Sequence, residues 1–201
     1  MLQSENVNMV EIADAAGERD ARRFALTDRL ADLVLSDGLG AMGLRGLAKA
    51  LDTSDRMLLY YFGTKDALVV AVIGRIVARL LDATSSAADE ASPPDVFLLR
   101  ALAMAQTRGI RPFMNVLSDV IARGGQGEAP YDSLASDLVS RWLDFIRARV
   151  VGADQDLSLA PAILAIVEGV ALLERANPGS AALVGPKLAG ALAIERQRPK
   201  T

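Results

Sequence analysis

The sequence predicts an all-α fold, and three observations carry that prediction. Apolar residues recur at helical spacing along the chain, strict apolar–polar alternation is missing, and no hairpin signal separates alternating runs. The 201 residues are 51% hydrophobic and 23% charged, a globular rather than a disordered composition. The spacing predicts about nine helices: a three-helix N-terminal unit, then a larger helical domain.

Residues 1–18 hold four acids and no base and read as a flexible tail. The first helix is expected from about Asp20 to Ser36, where Phe24, Leu30, Leu33 and Val34 form an apolar stripe that Gly38 closes. In LRGLAKAL, Leu44, Leu47, Ala48 and Leu51 fall at i, i+3, i+4 and i+7, one helix face. Asp52 and Thr53 leave room only for a tight turn, and Ser54 can cap the helix that follows. In that helix Leu58, Tyr61 and Phe62 share a face and Gly63 closes it; Thr64 then caps a long helix from 64 to 82. Two short helices joined by a tight turn and flanked by long ones read as a helix-turn-helix. The segment ATSSAADEASPP, 83–94, reads as a loop. Further helices are expected at about 93–107, 110–123, 131–151 and 158–176, and GGQGEAP breaks the chain before the third of these. A last helix is expected at about 180–196, with Pro186 kinking it or delaying its start.

Composition excludes several chemistries. The chain has no cysteine and no histidine, so it can build neither a thiolate zinc site nor a Ser/His or Cys/His nucleophile pair. No metal or cofactor is expected, nor an enzyme: no paired acids stand at a useful spacing. Glu168 interrupts the best candidate for a membrane span, 157–173, and the acidic N-terminus lacks the basic start of a signal peptide, so a cytoplasmic protein without a membrane partner is expected. Net charge is −3, yet residues 19–83 carry ten bases and eight acids, the one net-positive stretch.

That stretch contains DTSDRMLLYYFGTKDAL, 52–68. With Leu58, Tyr61 and Phe62 turned inward, Arg56 and Tyr60 point outward, four residues apart. Such a face suits a major groove: arginine bonds guanine bidentately and tyrosine reaches a phosphate or a methyl group. Lys65 lies in the first turn of the next helix, where free amides already favour a phosphate.

Residues 20–82 resemble the DNA-binding domain of the TetR family of bacterial transcriptional regulators. The matching run is DGLGAMGLRGLAKALDTSDRMLLYYFGTKDAL, most specifically Leu44-Arg45, Leu47-Ala48, Ser54, Leu58, Tyr61, Phe62-Gly63, Lys65 and Leu68. The resemblance implies that Ser54 to Phe62 is the recognition helix and Lys65 the phosphate-binding lysine, with Arg45 near the DNA backbone. Candidate DNA-binding residues are Arg45, Ser54, Asp55, Arg56, Tyr60, Tyr61, Thr64 and Lys65. Three positions depart from the family pattern: Gly43 replaces the usual hydroxyl cap, Asp52 the turn glycine, and Leu59 a phosphate-touching tyrosine. Residues 19–66 are assigned to the DNA-binding domain and 67–201 to a ligand-binding and dimerisation domain.

The helices at 158–176 and 180–196 are apolar nearly all round, and Ala162, Ala165, Gly169, Ala189, Gly190 and Ala193 permit close approach. A twofold dimer through these two helices would cover them. Helix 131–151 has two apolar faces, one with Leu134, Leu138, Trp142 and Phe145, the other with Val139, Leu143, Ile146 and Val150, and is expected at the centre of its domain. Phe97, Met104, Met114, Trp142, Phe145 and Glu168 are candidate ligand-binding residues for an unknown small-molecule effector. Glu168 sits mid-helix among apolar residues and needs either an arginine or a ligand. The reading is a ligand-responsive regulator, a repressor by expectation, that binds a pseudo-palindromic operator as a dimer. The alternative is a helical small-molecule-binding protein with a degenerate DNA-binding domain.

Overall fold

The computed structural model describes residues 2–41, 43–85 and 90–197. These form nine α-helices: α1 Leu2–Asp37, α2 Leu44–Ala50, α3 Asp55–Phe62, α4 Lys65–Ser85, α5 Pro94–Ala105, α6 Arg111–Gly124, α7 Tyr131–Arg147, α8 Leu159–Ala176 and α9 Ser180–Gln197. A 3-10 turn, Leu39–Ala41, follows α1. No strand occurs among the described residues; one parallel bridge pairs Ser92 with Val150. The all-α expectation holds element by element. Part of the expected loop, 86–89, lies outside the described residues.

Helix α1 begins at Leu2, well before Asp20. The segment read as a tail contains no proline and no glycine before Gly17, and is rich in strong helix formers. The chain divides into two compact units, Met1–Ile76 and Val77–Thr201. The division falls inside α4, along which apolar residues recur without a break. Leu68, Val69, Val72, Ile73 and Ile76 are buried, and so are Val77 and Leu80.

In the first unit Leu30, Ala31 and Val34 of α1 are fully buried, as are Leu47 of α2 and Leu58 of α3. Each such leucine stabilises the fold by about 1.5–3 kcal/mol relative to exposure. An ion pair, Arg75 Nε to Asp28 Oδ1 at 2.6 Å, ties α4 to α1, and the same guanidinium stacks on Phe24. The turn between α2 and α3 closes as a Schellman motif. Thr53 N–H donates to the Ala48 carbonyl at 2.9 Å and Asp52 N–H to that of Lys49 at 3.3 Å. Asp52 adopts φ 53°, the left-handed conformation that the missing glycine would supply.

In the second unit α8 is the central helix, packed against α5, α6, α7 and α9. This corrects the expectation for α7, which packs mainly on α6 and α8. The reason is a polar stripe: Asp132, Ser133, Ser136, Asp137, Ser140, Arg141, Asp144 and Arg147 are all exposed, which leaves α7 one broad apolar face. Helix α7 also stops at Arg147, and Val150, buried in the turn that follows, is one of the two residues of the bridge to Ser92. Pro186 does not delay α9, which starts six residues earlier at Ser180. The Glu174 carboxylate at the end of α8 accepts from the backbone N–H of Gly179 at 2.8 Å and of Ala181 at 2.9 Å, capping that start.

Candidate functional site

Helix α3 exists because its ends are specified. Ser54 Oγ accepts from Met57 N–H at 3.2 Å, and Gly63 takes φ 79° to end the helix. Leu58 and Phe62 are buried and Tyr61 half-buried, so Arg56 and Tyr60 stand exposed on the far side. Asp55 is half-buried in the first turn, on the favourable end of the helix dipole. Thr64 Oγ1 accepts from Ala67 N–H at 3.0 Å and caps α4, whose first residue, Lys65, is exposed. Arg45 is exposed in the first turn of α2. Thus Arg45, Arg56, Tyr60 and Lys65 are available to a partner, Ser54 and Thr64 act on the backbone as caps, and Tyr61 sits partly in the core. Gly43 makes no side-chain cap for α2, and Leu59 is exposed between Arg56 and Tyr60 on α3.

Sequence reasoning missed Arg19. Its Nη2 donates to the Tyr60 carbonyl at 3.0 Å, and its guanidinium lies 4.9 Å from the centre of the Tyr60 ring. Tyr61 meets that ring edge-on at 5.1 Å. Tyr60 is therefore held on two sides before any partner arrives. Arg19 is 41 residues away and on the segment boundary, so no local spacing signals the pair. Lys49, exposed in the last turn of α2, is a further cation beside the motif that the sequence reading passed over.

The second unit contains a cavity of about 400 Å³. All six residues named as ligand candidates, Phe97, Met104, Met114, Trp142, Phe145 and Glu168, line it. They come from α5, α6, α7 and α8, and Leu80 and Thr84 of α4 complete one side. Trp142 and Phe145 meet edge-to-face at 5.3 Å, and Arg149 stacks on Phe145 at 3.9 Å. Glu168 has no arginine partner within 4.0 Å among the described residues; Ser118 Oγ donates to its Oε2 at 2.9 Å instead. Burial raises the Glu168 carboxyl above the ordinary glutamate range, and the serine bond offsets part of that rise.

Helices α8 and α9 each keep large apolar side chains exposed. Leu172 and Leu173 are 59% and 52% exposed, and Leu183 and Ile194 are 79% and 64% exposed. Ala162, Ala165, Gly169 and Gly190 are exposed beside them, whereas Ala189 is buried within its own unit and Ala193 half-buried.

A helix-turn-helix with a capped, cation-bearing second helix, followed by a helical domain around a cavity, defines a DNA-binding regulator. Residues 26–72 match the family described as bacterial regulatory proteins, tetR family, so this stretch carries a TetR-type DNA-binding domain. No curated protein matches the chain. Its fold is similar to that of a TetR-family transcriptional regulator from Cytophaga hutchinsonii, with a TM-score of 0.69 at 19% identity over 88% of this chain and 96% of that one. It is also similar to a transcriptional regulator from Rhodococcus sp. Rha1, with a TM-score of 0.64 at 23% identity over 86% of this chain and 92% of that one. Among the described residues no helix is long and apolar enough to cross a membrane.

Proposed function

We propose that the protein is a ligand-responsive repressor, without catalytic activity, that binds a pseudo-palindromic operator in the cytoplasm as a homodimer. The observation that supports this most is the exposed pair Arg56 and Tyr60 on a helix whose other side is core. In this reading Arg56 reads a base edge, Tyr60 and Arg45 meet the backbone, and Lys65 adds charge at the capped start of α4. The apolar surface of α8 and α9 is the dimer interface. A ligand in the cavity touches Leu80 and Thr84, on the same continuous helix that starts at Lys65, and biases operator affinity by binding two arrangements of that helix unequally.

The test is duplex binding over a salt series, with the operator selected from random sequence. Arg56→Ala is expected to weaken operator binding by about 1–3 kcal/mol and to relax preference at one position in each half-site. Lys65→Ala is expected to weaken binding to every sequence and to lower the salt slope by about one. Salt-independent, equal binding by wild type and both variants would favour the second reading, a small-molecule carrier with a degenerate DNA-binding unit. Leu59, which cannot donate to a phosphate, is the observation that favours that rival.

A further inference from the structure

The cavity of the second unit joins two features that do not otherwise belong together. Its wall is aromatic and thioether-rich, yet one carboxylate, Glu168, stands in it half-buried at the middle of the central helix. Ser118 Oγ is the one hydrogen-bond donor to that carboxylate among the described residues. Two other cations of this unit are engaged away from it: Arg175 pairs with Asp119 at 3.0 Å, and Arg149 stacks on Phe145 and donates through one terminal nitrogen to its carbonyl, its buried Nε having no acceptor. A carboxylate in a low-dielectric cavity without a countercharge is costly, and a cation of suitable shape is what relieves it. Trp142, the single tryptophan, lines the same space and offers a π face to a cation.

We propose that the cavity binds a lipophilic amine, its ammonium group meeting Glu168 and its apolar body lying against Trp142, Phe97 and the two methionines. This rests on the reading of the cavity as the effector site and assigns that effector a chemical class. Arg100 also lines the cavity but is exposed, and a solvated guanidinium gains little from a ligand acid compared with a half-buried carboxylate gaining a cation. The apolar walls supply affinity, and the carboxylate supplies the discrimination between amine, neutral and acidic molecules of equal shape.

The experiment uses three probes on one skeleton: 3,3-diphenylpropylamine, 3,3-diphenylpropan-1-ol and 3,3-diphenylpropanoate. Binding to the full chain is followed by Trp142 fluorescence and by calorimetry. The amine is expected to bind at least about tenfold more tightly than the alcohol, and the acid least. Glu168→Gln is expected to lose that amine preference while leaving the affinity for the alcohol unchanged. The wild-type series decides the matter even if the variant does not fold. Equal binding of amine and alcohol, tightest binding of the acid, or no binding of any probe overturns the proposal. The same probes are then added to the operator complex. Amine binding that depends on Glu168 but leaves duplex affinity unchanged keeps the ligand class and removes the effector reading. Release of the duplex by the alcohol or the acid, without a response to the amine, keeps the effector reading and removes the ligand class.

Discussion

At the scale of single residues, the departures from the family pattern are where stability is adjustable. Asp52 holds a left-handed φ of 53° at the turn between α2 and α3. Aspartate tolerates that region better than most residues, but glycine enters it without steric cost. Asp52→Gly together with Gly43→Ser, which restores a hydroxyl cap to α2, is expected to raise the midpoint of thermal unfolding. Each contributes a few tenths to about 1 kcal/mol. An unchanged or lower midpoint would show that neither position limits the first unit. Glu168 makes a prediction with a sign in pH. Its folded-state pKa is raised by burial, so the native state binds the proton more tightly than the unfolded chain does. Stability is therefore lost as pH climbs from the ordinary glutamate value through the raised one. Glu168→Gln keeps an acceptor for Ser118 and removes the buried charge. It is expected to be more stable than wild type at neutral pH, with the difference closing below the ordinary glutamate value. Parallel denaturant titrations at several pH values check this, and a difference independent of pH would count against it.

At the scale of elements, the fold depends on a few close approaches. A Cβ on Gly124, the last residue of α6, would lie 2.5 Å from the Ala135 Cβ and 2.6 Å from the Tyr131 carbonyl oxygen of α7. One of the two partners is backbone and cannot turn aside. Gly124→Ala is thus expected to destabilise the protein by about 1–3 kcal/mol, through a shift of α6 against α7. A denaturation midpoint equal to that of wild type would show that the corner relaxes freely. Periodicity found all nine helices, because each carries its own apolar stripe and end signals. It placed α7 at the centre because apolar residues alone were followed; the exposed run from Asp132 to Arg147 marks it as a flank. Centrality is decided by which neighbours cover a helix, and α8, covered by four others, shows no such stripe of charge.

For the whole molecule, the exposed apolar side chains on α8 and α9 set the expectation for assembly. Leu183 is 79% exposed, so replacing it leaves the packing of the single chain intact. Leu183→Glu combined with Leu172→Glu is expected to yield a folded monomer in sedimentation, with operator binding lost. Two half-sites about 34–36 Å apart need two linked reading helices. A variant that still sediments as a dimer would put the interface elsewhere. By itself the sequence determined the all-α class, the helix-turn-helix with its caps and inward and outward faces, and the absence of histidine and cysteine chemistry. These follow from local spacing and residue type, which act over a few residues at a time. The six residues named for a cavity also came from sequence, by size and polarity on neighbouring helices. Only the tertiary structure decided that they surround one space, that Glu168 is met by Ser118 rather than by an arginine, and that Arg19 holds Tyr60 from 41 residues away. Such pairings depend on how separate helices rotate and pack, a choice settled by the burial of whole faces rather than by any local pattern.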